Sequence, residues 1–326
     1  MIITKTPMRI SFAGGGSDLK EYYLNYGGSV VSTSINKYIY LSMHPHFEQK
    51  GYLLKYSKTE NITNIADIQH PIIRQIFSDY DISGVDFNSA SDIPAGTGLG
   101  SSSCFTSGLI KLCNAYTSIY KSKEDIAAEA CRVEIEDLNE PIGKQDQYST
   151  AIGGLNYIKF NQDDTVTVEK ILIRQDKKQQ LQDSLMMFYL GETRSASKLL
   201  KKQGEITKTS QVAINNLHRM VKLSEDLNLD LQNSNIDTFG EILHTGWLYK
   251  KEIASAISNS KVDHFYELAM QHGASGGKLL GAGGGGFLLI CAPLEKQAAI
   301  RNALSELKEL DFKFDNSGTS VIHYND

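Results

Sequence analysis

The sequence holds only four cysteines, Cys104, Cys113, Cys131 and Cys291, among its 326 residues, and none of them forms a C-x-x-C pair. Each sits in an apolar or helical context, which excludes a zinc knuckle or a disulfide framework and predicts reduced, buried thiols. Positive charge is not in excess either. Lys and Arg number 33 against 38 Asp and Glu, a net charge of −5, so no global field would draw the chain to nucleic acid or an anionic membrane surface. Long apolar runs are missing: the longest, Phe287 to Leu294, is too short to span a bilayer. The opening Met1-Ile-Ile-Thr-Lys-Thr-Pro7 lacks the apolar stretch of a secretory signal. A cytoplasmic protein is expected, in which the sequon Asn61-Ile-Thr63 carries no glycan. Internal repeats and low-complexity tracts are also lacking.

What is present is ordinary globular material, 41% hydrophobic and 22% charged, enough for one large or two moderate domains. Residues 1–44 read as strands: Val31, Thr33 and Ile35 alternate with polar neighbours, and Lys37 to Met43 continues the β-rich run. The Gly-rich turn Gly14-Gly-Gly-Ser-Asp18 interrupts them. Further strands are expected at 51–56, 84–91, 154–160, 165–172, 184–190, 286–292 and 319–324. Helical spacing starts at Ser101, where Phe105, Leu109, Ile110, Cys113 and Tyr116 recur at threes and fours. Other helices are expected at 123–137, 195–203, 210–227, 238–258, 263–271 and 294–307. The pattern predicts an α+β fold, sheet-rich then helix-rich. A polar break at Gln175-Asp-Lys-Lys-Gln-Gln180 suggests two domains, 1–178 and 179–326.

The stretch Asp92-Ile-Pro-Ala-Gly-Thr-Gly-Leu-Gly-Ser-Ser-Ser103 places three glycines at alternate positions before three serines that open a helix. Glycine lets backbone approach an anion closely, and the free N–H groups and dipole of a helix start favour negative charge. Alone, the pattern suits either a phosphate cradle or a serine-capped turn. A dinucleotide G-x-G-x-x-G would need glycine where Ser101 stands, and the G-K-[ST] of a P-loop is absent. Gly281-x-Gly283-x-x-Gly286 has the right glycine spacing, but a strand rather than a helix is expected to follow it.

Pro94-Ala-Gly-Thr-Gly-Leu-Gly-Ser-Ser-Ser103 resembles the P-x-x-x-G-L-G-S-S-[AS] signature of the GHMP kinases, the superfamily of galactokinase, homoserine kinase, mevalonate kinase and phosphomevalonate kinase. Two further motifs fall in the family's order. Thr6-Pro-Met-Arg-Ile-Ser-Phe-Ala-Gly14 resembles the first, and Gly273-Ala-Ser-Gly-Gly-Lys-Leu-Leu-Gly-Ala-Gly-Gly-Gly-Gly286 the third. The resemblance implies a two-domain GHMP fold and an ATP-dependent small-molecule kinase. It places ATP phosphates on Pro94, Gly96, Gly98, Leu99, Gly100, Ser101, Ser102 and Ser103. It implies Asp146, in Gly143-Lys-Gln-Asp-Gln-Tyr148, as general base, although the residues alone read Asp146 as a turn residue. Arg9 takes the place of the motif-one cation, which offsets charge developing on the transferring phosphoryl group. Mg²⁺ would be held by Ser102 and Glu134, with Glu136 a competing ligand, since the two project from different faces of a helix.

Galactokinases carry Glu and His where this chain has Gly15 and Gly16; Ser17 and Asp18 follow. Together with Gly191-Glu-Thr-Arg194, this resembles the sugar-1-kinase branch that contains D-glycero-D-manno-heptose 7-phosphate kinases. The substrate would then meet Gly15, Gly16, Ser17, Asp18, Gly283 and Gly284. Arg194, with Lys198 one helical turn on, could hold a remote phosphate or could be a solvated basic helix end. The expected partners are ATP and a sugar phosphate, with homodimerisation left open.

Overall fold

The β-branched and aromatic residues that open the chain pair as two long antiparallel strands, Ile2–Ala13 and Gly28–Pro45. This computed structural model describes residues 1–191, 196–254 and 257–325. The second long strand spans two neighbours. Its outer half pairs with Val85–Ser91 and its inner half with Leu155–Phe160. Tyr52–Lys55 lies parallel on Val85–Ser91 and returns through a hairpin to Thr59–Ile62. Val166–Lys170 completes the other side. The tail comes back to this sheet, with Phe314–Asp315 on the second strand and Ser320–Tyr324 on the first.

The alternation around Val31, Thr33 and Ile35 suggests one wet face, but every residue from Gly28 to Ile35 is buried. Helices cover both faces and hydroxyl pairs satisfy the polar positions. Ser29 Oγ lies 2.6 Å from Ser224 Oγ on helix Gln211–Gln232, and Ser32 Oγ lies 2.8 Å from Ser149 Oγ on helix Gln145–Ile152. Helix Ser101–Tyr116 packs on the same sheet through Leu109, Ile110 and Leu112, all fully buried.

A second sheet, in the order Lys308–Glu309, Leu185–Tyr189, Phe287–Cys291, Gly276–Leu279, is antiparallel throughout. A second hydrophobic cluster forms on it, where Phe188, Leu288 and Ile290 meet Leu217, Met220 and Trp247 from helices Gln211–Gln232 and Phe239–Ile253. The result is a two-part α+β molecule, sheet-rich first and helix-rich second. Among the described residues no helix is long and apolar enough to cross a membrane.

Several elements depart from the sequence reading, among them helix Lys20–Tyr26, which interrupts the stretch 1–44 read as strands. The polar break at 175–180 is part of a helix, Gln175–Asp183, whose one buried residue is Leu181, too little apolar content to signal a period. Asp146 sits in the first turn of helix Gln145–Ile152 rather than in a turn. Pro71–Asp79 is a short helix, starting on proline, that the sequence reading leaves unassigned.

Candidate active site

A cavity of about 850 Å³ runs between the two parts, bounded by residues from the three Gly-rich segments. Its phosphate-binding candidate is the loop before helix Ser101–Tyr116. Gly100, left-handed with φ +74°, directly precedes that helix, so its first N–H groups open into the cavity. Gly96, Gly98, Gly100, Ser101, Ser102 and Ser103 all line it, as does Pro94. The third Gly-rich loop lies directly on this one. A side chain at Gly98 would place its first carbon 2.4 Å from the carbonyl oxygen of Leu280, and one at Gly281 would come 2.5 Å from Gly98 Cα. The two loops therefore touch backbone to backbone, which only glycine permits.

Arg9 stands just past an irregularity in strand pairing between Pro7 and Met8, of the kind that re-aims a side chain. Its own N–H bonds Leu99 O at 3.1 Å. The guanidinium donates Nε–H to Asp146 Oδ1 at 2.7 Å, Nη2–H to Asp146 Oδ2 at 2.6 Å and Nη1–H to Gly98 O at 2.7 Å. This is a two-pronged Arg–carboxylate pair tied to the phosphate loop. Arg9 is 3% exposed, and Asp146 lines the cavity. Gln145 Nε2 also donates to Asp146 Oδ1, at 3.0 Å. The aspartate is thus fixed in orientation on the cavity wall beside the loop.

Glu134 lies on a wider helical turn, Arg132–Asp137, where Leu138 N–H reaches back five residues to Val133 O. Such π-type turns concentrate at functional sites. The turn buries Glu134 to 1% exposure and leaves Glu136 exposed. Four donors surround the Glu134 carboxylate. Ser102 Oγ (2.7 Å) and Thr106 Oγ1 (3.1 Å) donate to Oε1, and Ser103 Oγ (2.7 Å) and Gln147 Nε2 (2.8 Å) to Oε2. Burial pushes its pKa up, and these hydrogen bonds oppose the shift. Ser102 is exposed to the cavity while its proton is directed to Glu134, so its oxygen lone pairs face the open side.

The opposite end of the cavity is the candidate acceptor site. Gly15 and Gly16 line it, with Asp18, Ser11, Gln145 and Gln203. Asp18 is held by Gly16 N–H at 2.9 Å and Gln145 N–H at 3.2 Å. Burial pushes its pKa up, and the charge of Asp146 adds to the rise. Gly143 makes room for it, since a Cβ there would fall 2.0 Å from Asp18 Oδ2. Two buried lysines that sequence reasoning did not single out, Lys250 and Lys278, also line this end. Lys278 is the lysine of the third motif, but Lys250 is in an unremarkable helical stretch with no local signal.

Most of the residues proposed from sequence therefore converge on one cavity. Four stand off its wall: Glu134, 1% exposed and enclosed by its four hydrogen-bond donors, and three others. Leu99 is fully buried and contributes its carbonyl to Arg9; Ser17 bonds Ser29 O at 3.1 Å; Gly284 N–H is taken by Ile257 O at 2.9 Å. Gly283 does line the cavity. Arg194 lies outside the described residues, and Lys198 is exposed. Beyond the phosphate loop the cavity continues to an apolar end of Ile39, Tyr56, His70, Pro71, Ile72 and Phe105. His70 packs its ring 5.1 Å from both Tyr56 and Phe105, and burial pushes its pKa down. These residues come from four separate segments, with His70, Pro71 and Ile72 contiguous at one helix start, so no local motif marks the set.

Comparison with known proteins identifies the family. Residues 67–154 match the GHMP kinases N terminal domain, and residues 227–309 match the GHMP kinases C terminal domain, together more than half of the chain. A D-glycero-alpha-D-manno-heptose 7-phosphate kinase of Campylobacter jejuni is 29% identical, over 97% of this chain and 97% of its own. A bifunctional fucokinase/GDP-fucose pyrophosphorylase of Arabidopsis thaliana is 28% identical, over 95% of this chain and 32% of its own. A solved structure of a D-glycero-D-manno-heptose 1-phosphate kinase from Bacteroides thetaiotaomicron superposes with a TM-score of 0.83 at 23% identity, covering 100% of both chains. The chain belongs to the GHMP kinase family.

Proposed function

We propose that this ATP-dependent sugar kinase phosphorylates the anomeric hydroxyl of a sugar phosphate, with D-glycero-D-manno-heptose 7-phosphate as the acceptor. The observation that carries the transfer is the Arg9–Asp146 pair, fixed to the phosphate loop through Gly98 O and standing on the wall between loop and acceptor end. The acceptor is inferred from the Campylobacter jejuni relative, which aligns end to end with this chain, and from the room left by Gly15 and Gly16.

The apolar end takes the nucleobase, and the loop amides take the phosphates. The sugar hydroxyl gives its proton to Asp146 as its oxygen forms the bond to the γ-phosphorus. The bond from that phosphorus to the β–γ bridging oxygen breaks, and ADP leaves with the electron pair. Asp146 is presented by Arg9 and Gln145, so no reorientation is needed at the moment of transfer. Asp18, fixed by two backbone amides, orients sugar hydroxyls. Ser102 and Glu134 would hold a magnesium ion through hard oxygen: the serine's free lone pairs face the cavity, and the Glu134 carboxylate, which accepts four hydrogen bonds behind it, would exchange one of them for the ion. That ion would supply positive charge to the β- and γ-phosphates. Arg194 is proposed to reach the acceptor's remote phosphate; an unchanged KM for the phosphosugar in Arg194→Ala would reject that role.

The test is phosphorus NMR of the product formed from ATP and heptose 7-phosphate, beside a panel of free sugars and mevalonate. A new phosphate resonance coupled to the anomeric proton is expected. Turnover of mevalonate with no sugar, or a new phosphate without that coupling, would sink the proposal.

A further inference from the structure

Lys250 occupies a place that its surroundings in the protein do not complete. It comes from helix Phe239–Ile253, is 6% exposed, and lines the cavity. Its ammonium has three N–H groups, yet it makes one hydrogen bond, to Gly281 O at 2.5 Å. Among the described residues no carboxylate pairs with it. A buried cation left with two open donors is costly unless an anion completes it.

The position of that opening is defined. Gly281 packs on Gly98, whose carbonyl accepts Arg9 Nη1–H, and the same guanidinium grips Asp146. Lys250 and Arg9 thus flank the point where the phosphate loop and the third loop touch. We propose that Lys250 is a catalytic residue, donating to an oxygen of the γ-phosphoryl group as it passes from ATP to the acceptor. In the step, the acceptor oxygen–phosphorus bond forms, the bond to the bridging oxygen breaks and the acceptor's proton goes to Asp146. Lys250 keeps its proton throughout and neutralises charge on the group in flight. The proposal rests on the kinase reading and not on which sugar is the acceptor.

Four charged groups face Lys250 or its neighbourhood. They are Arg9 on the first strand, Asp18 in the Gly-rich turn, Asp146 on helix Gln145–Ile152 and, on strand Gly276–Leu279, Lys278, which donates to Phe12 O at 3.0 Å. Burial, then the charge of Arg9, pushes the Lys250 pKa down to about 8, with the two aspartates opposing. In the free enzyme its charge is therefore lost as pH rises through that region. This supplies a signature that a purely structural lysine lacks.

The experiment measures kcat, KM and nucleotide Kd for wild type, Lys250→Met and Lys250→Arg across pH 6–10. Both acceptor turnover and acceptor-free hydrolysis of ATP are followed, so a wrongly chosen sugar and a wrongly assigned lysine give different results. Lys250→Met is expected to lower kcat by about 10²-fold, the scale for losing one donor to a developing anion, with ATP Kd unchanged. Wild-type kcat/KM should decline on the alkaline side as Lys250 loses its proton, and in Lys250→Arg that decline should move to higher pH. Wild-type kcat in Lys250→Met, or a loss confined to KM, overturns the proposal. If circular dichroism shows Lys250→Met unfolded, the arginine variant decides: an alkaline limb at the wild-type position overturns it.

Discussion

Replacing Gly98 by alanine tests whether the two Gly-rich loops must touch. Two costs can be worked out from the structure. The backbone there has φ +86°, which an L side chain adopts at a cost of about 1–2 kcal/mol. In addition, the new Cβ would stand 2.4 Å from Leu280 O and 2.9 Å from Leu280 C, where 3.4 Å is ordinary contact. The loops must separate by about 1 Å, a displacement that in a positioned active site costs about 10²-fold in rate. The same shift moves Gly98 O, and with it the third anchor of Arg9. Gly27→Ala is the matched control, with φ +71° but its nearest outside atom, Phe160 O, at 3.8 Å and no place on the cavity wall. Both variants should melt earlier than wild type in thermal denaturation, and only Gly98→Ala should lose kcat in a coupled ADP-release assay. Equal kcat effects in the two variants would refute the loop-contact argument, because strain without collision would then suffice.

Asp146→Asn should lower kcat by about 10²–10⁴-fold, the range for losing a general base, with nucleotide binding by calorimetry unchanged. Glu134→Gln should raise the magnesium concentration needed for half-maximal activity. It should also change the pH dependence of stability. The Glu134 pKa is raised in the folded protein, so its contribution is intact below the ordinary carboxylate range and is lost as pH rises through the folded value. The melting temperature of wild type relative to Glu134→Gln should therefore fall with rising pH across that window. Gly16→Ala would bring a Cβ to 2.5 Å from Gln203 Nε2. That end is side chain and can yield, so a higher KM for the acceptor with ATP KM unchanged is expected in steady-state kinetics.

Much of the catalytic end was legible because it is local. Three glycines, three serines and the helix behind them are contiguous, and so are Gly143 to Tyr148. The long strands and the amphipathic helices likewise declare themselves by period. What could not be read was built from distant pieces. Lys250 gives no local sign of its burial, because its hydrogen-bond partner Gly281 and the charges it faces, Arg9, Asp18 and Asp146, are all distant in sequence. The apolar end draws Tyr56, His70 and Phe105 from three separate elements. Of Glu134 and its competitor Glu136, the wider turn at 132–137 turns Glu134 inward and leaves Glu136 exposed, a difference that a regular helical period does not show. The two-sided burial of Gly28–Ile35 was hidden by serines that resemble surface residues until helices bring hydroxyls to meet them. Helix Gln175–Asp183 was missed for the opposite reason, one apolar anchor in a polar segment.

The contact between Gly98 and Gly281 divides the cavity into two kinds of wall. On the phosphate side the lining is largely main chain, which presents the same N–H groups whatever side chains drift nearby. On the acceptor side it is Asp18, Gln145, Gln203 and the space over Gly15 and Gly16, all of which can be exchanged one codon at a time. On the proposed reading, a change of acceptor can therefore arise by substitution at one end without disturbing the loop contact at the other.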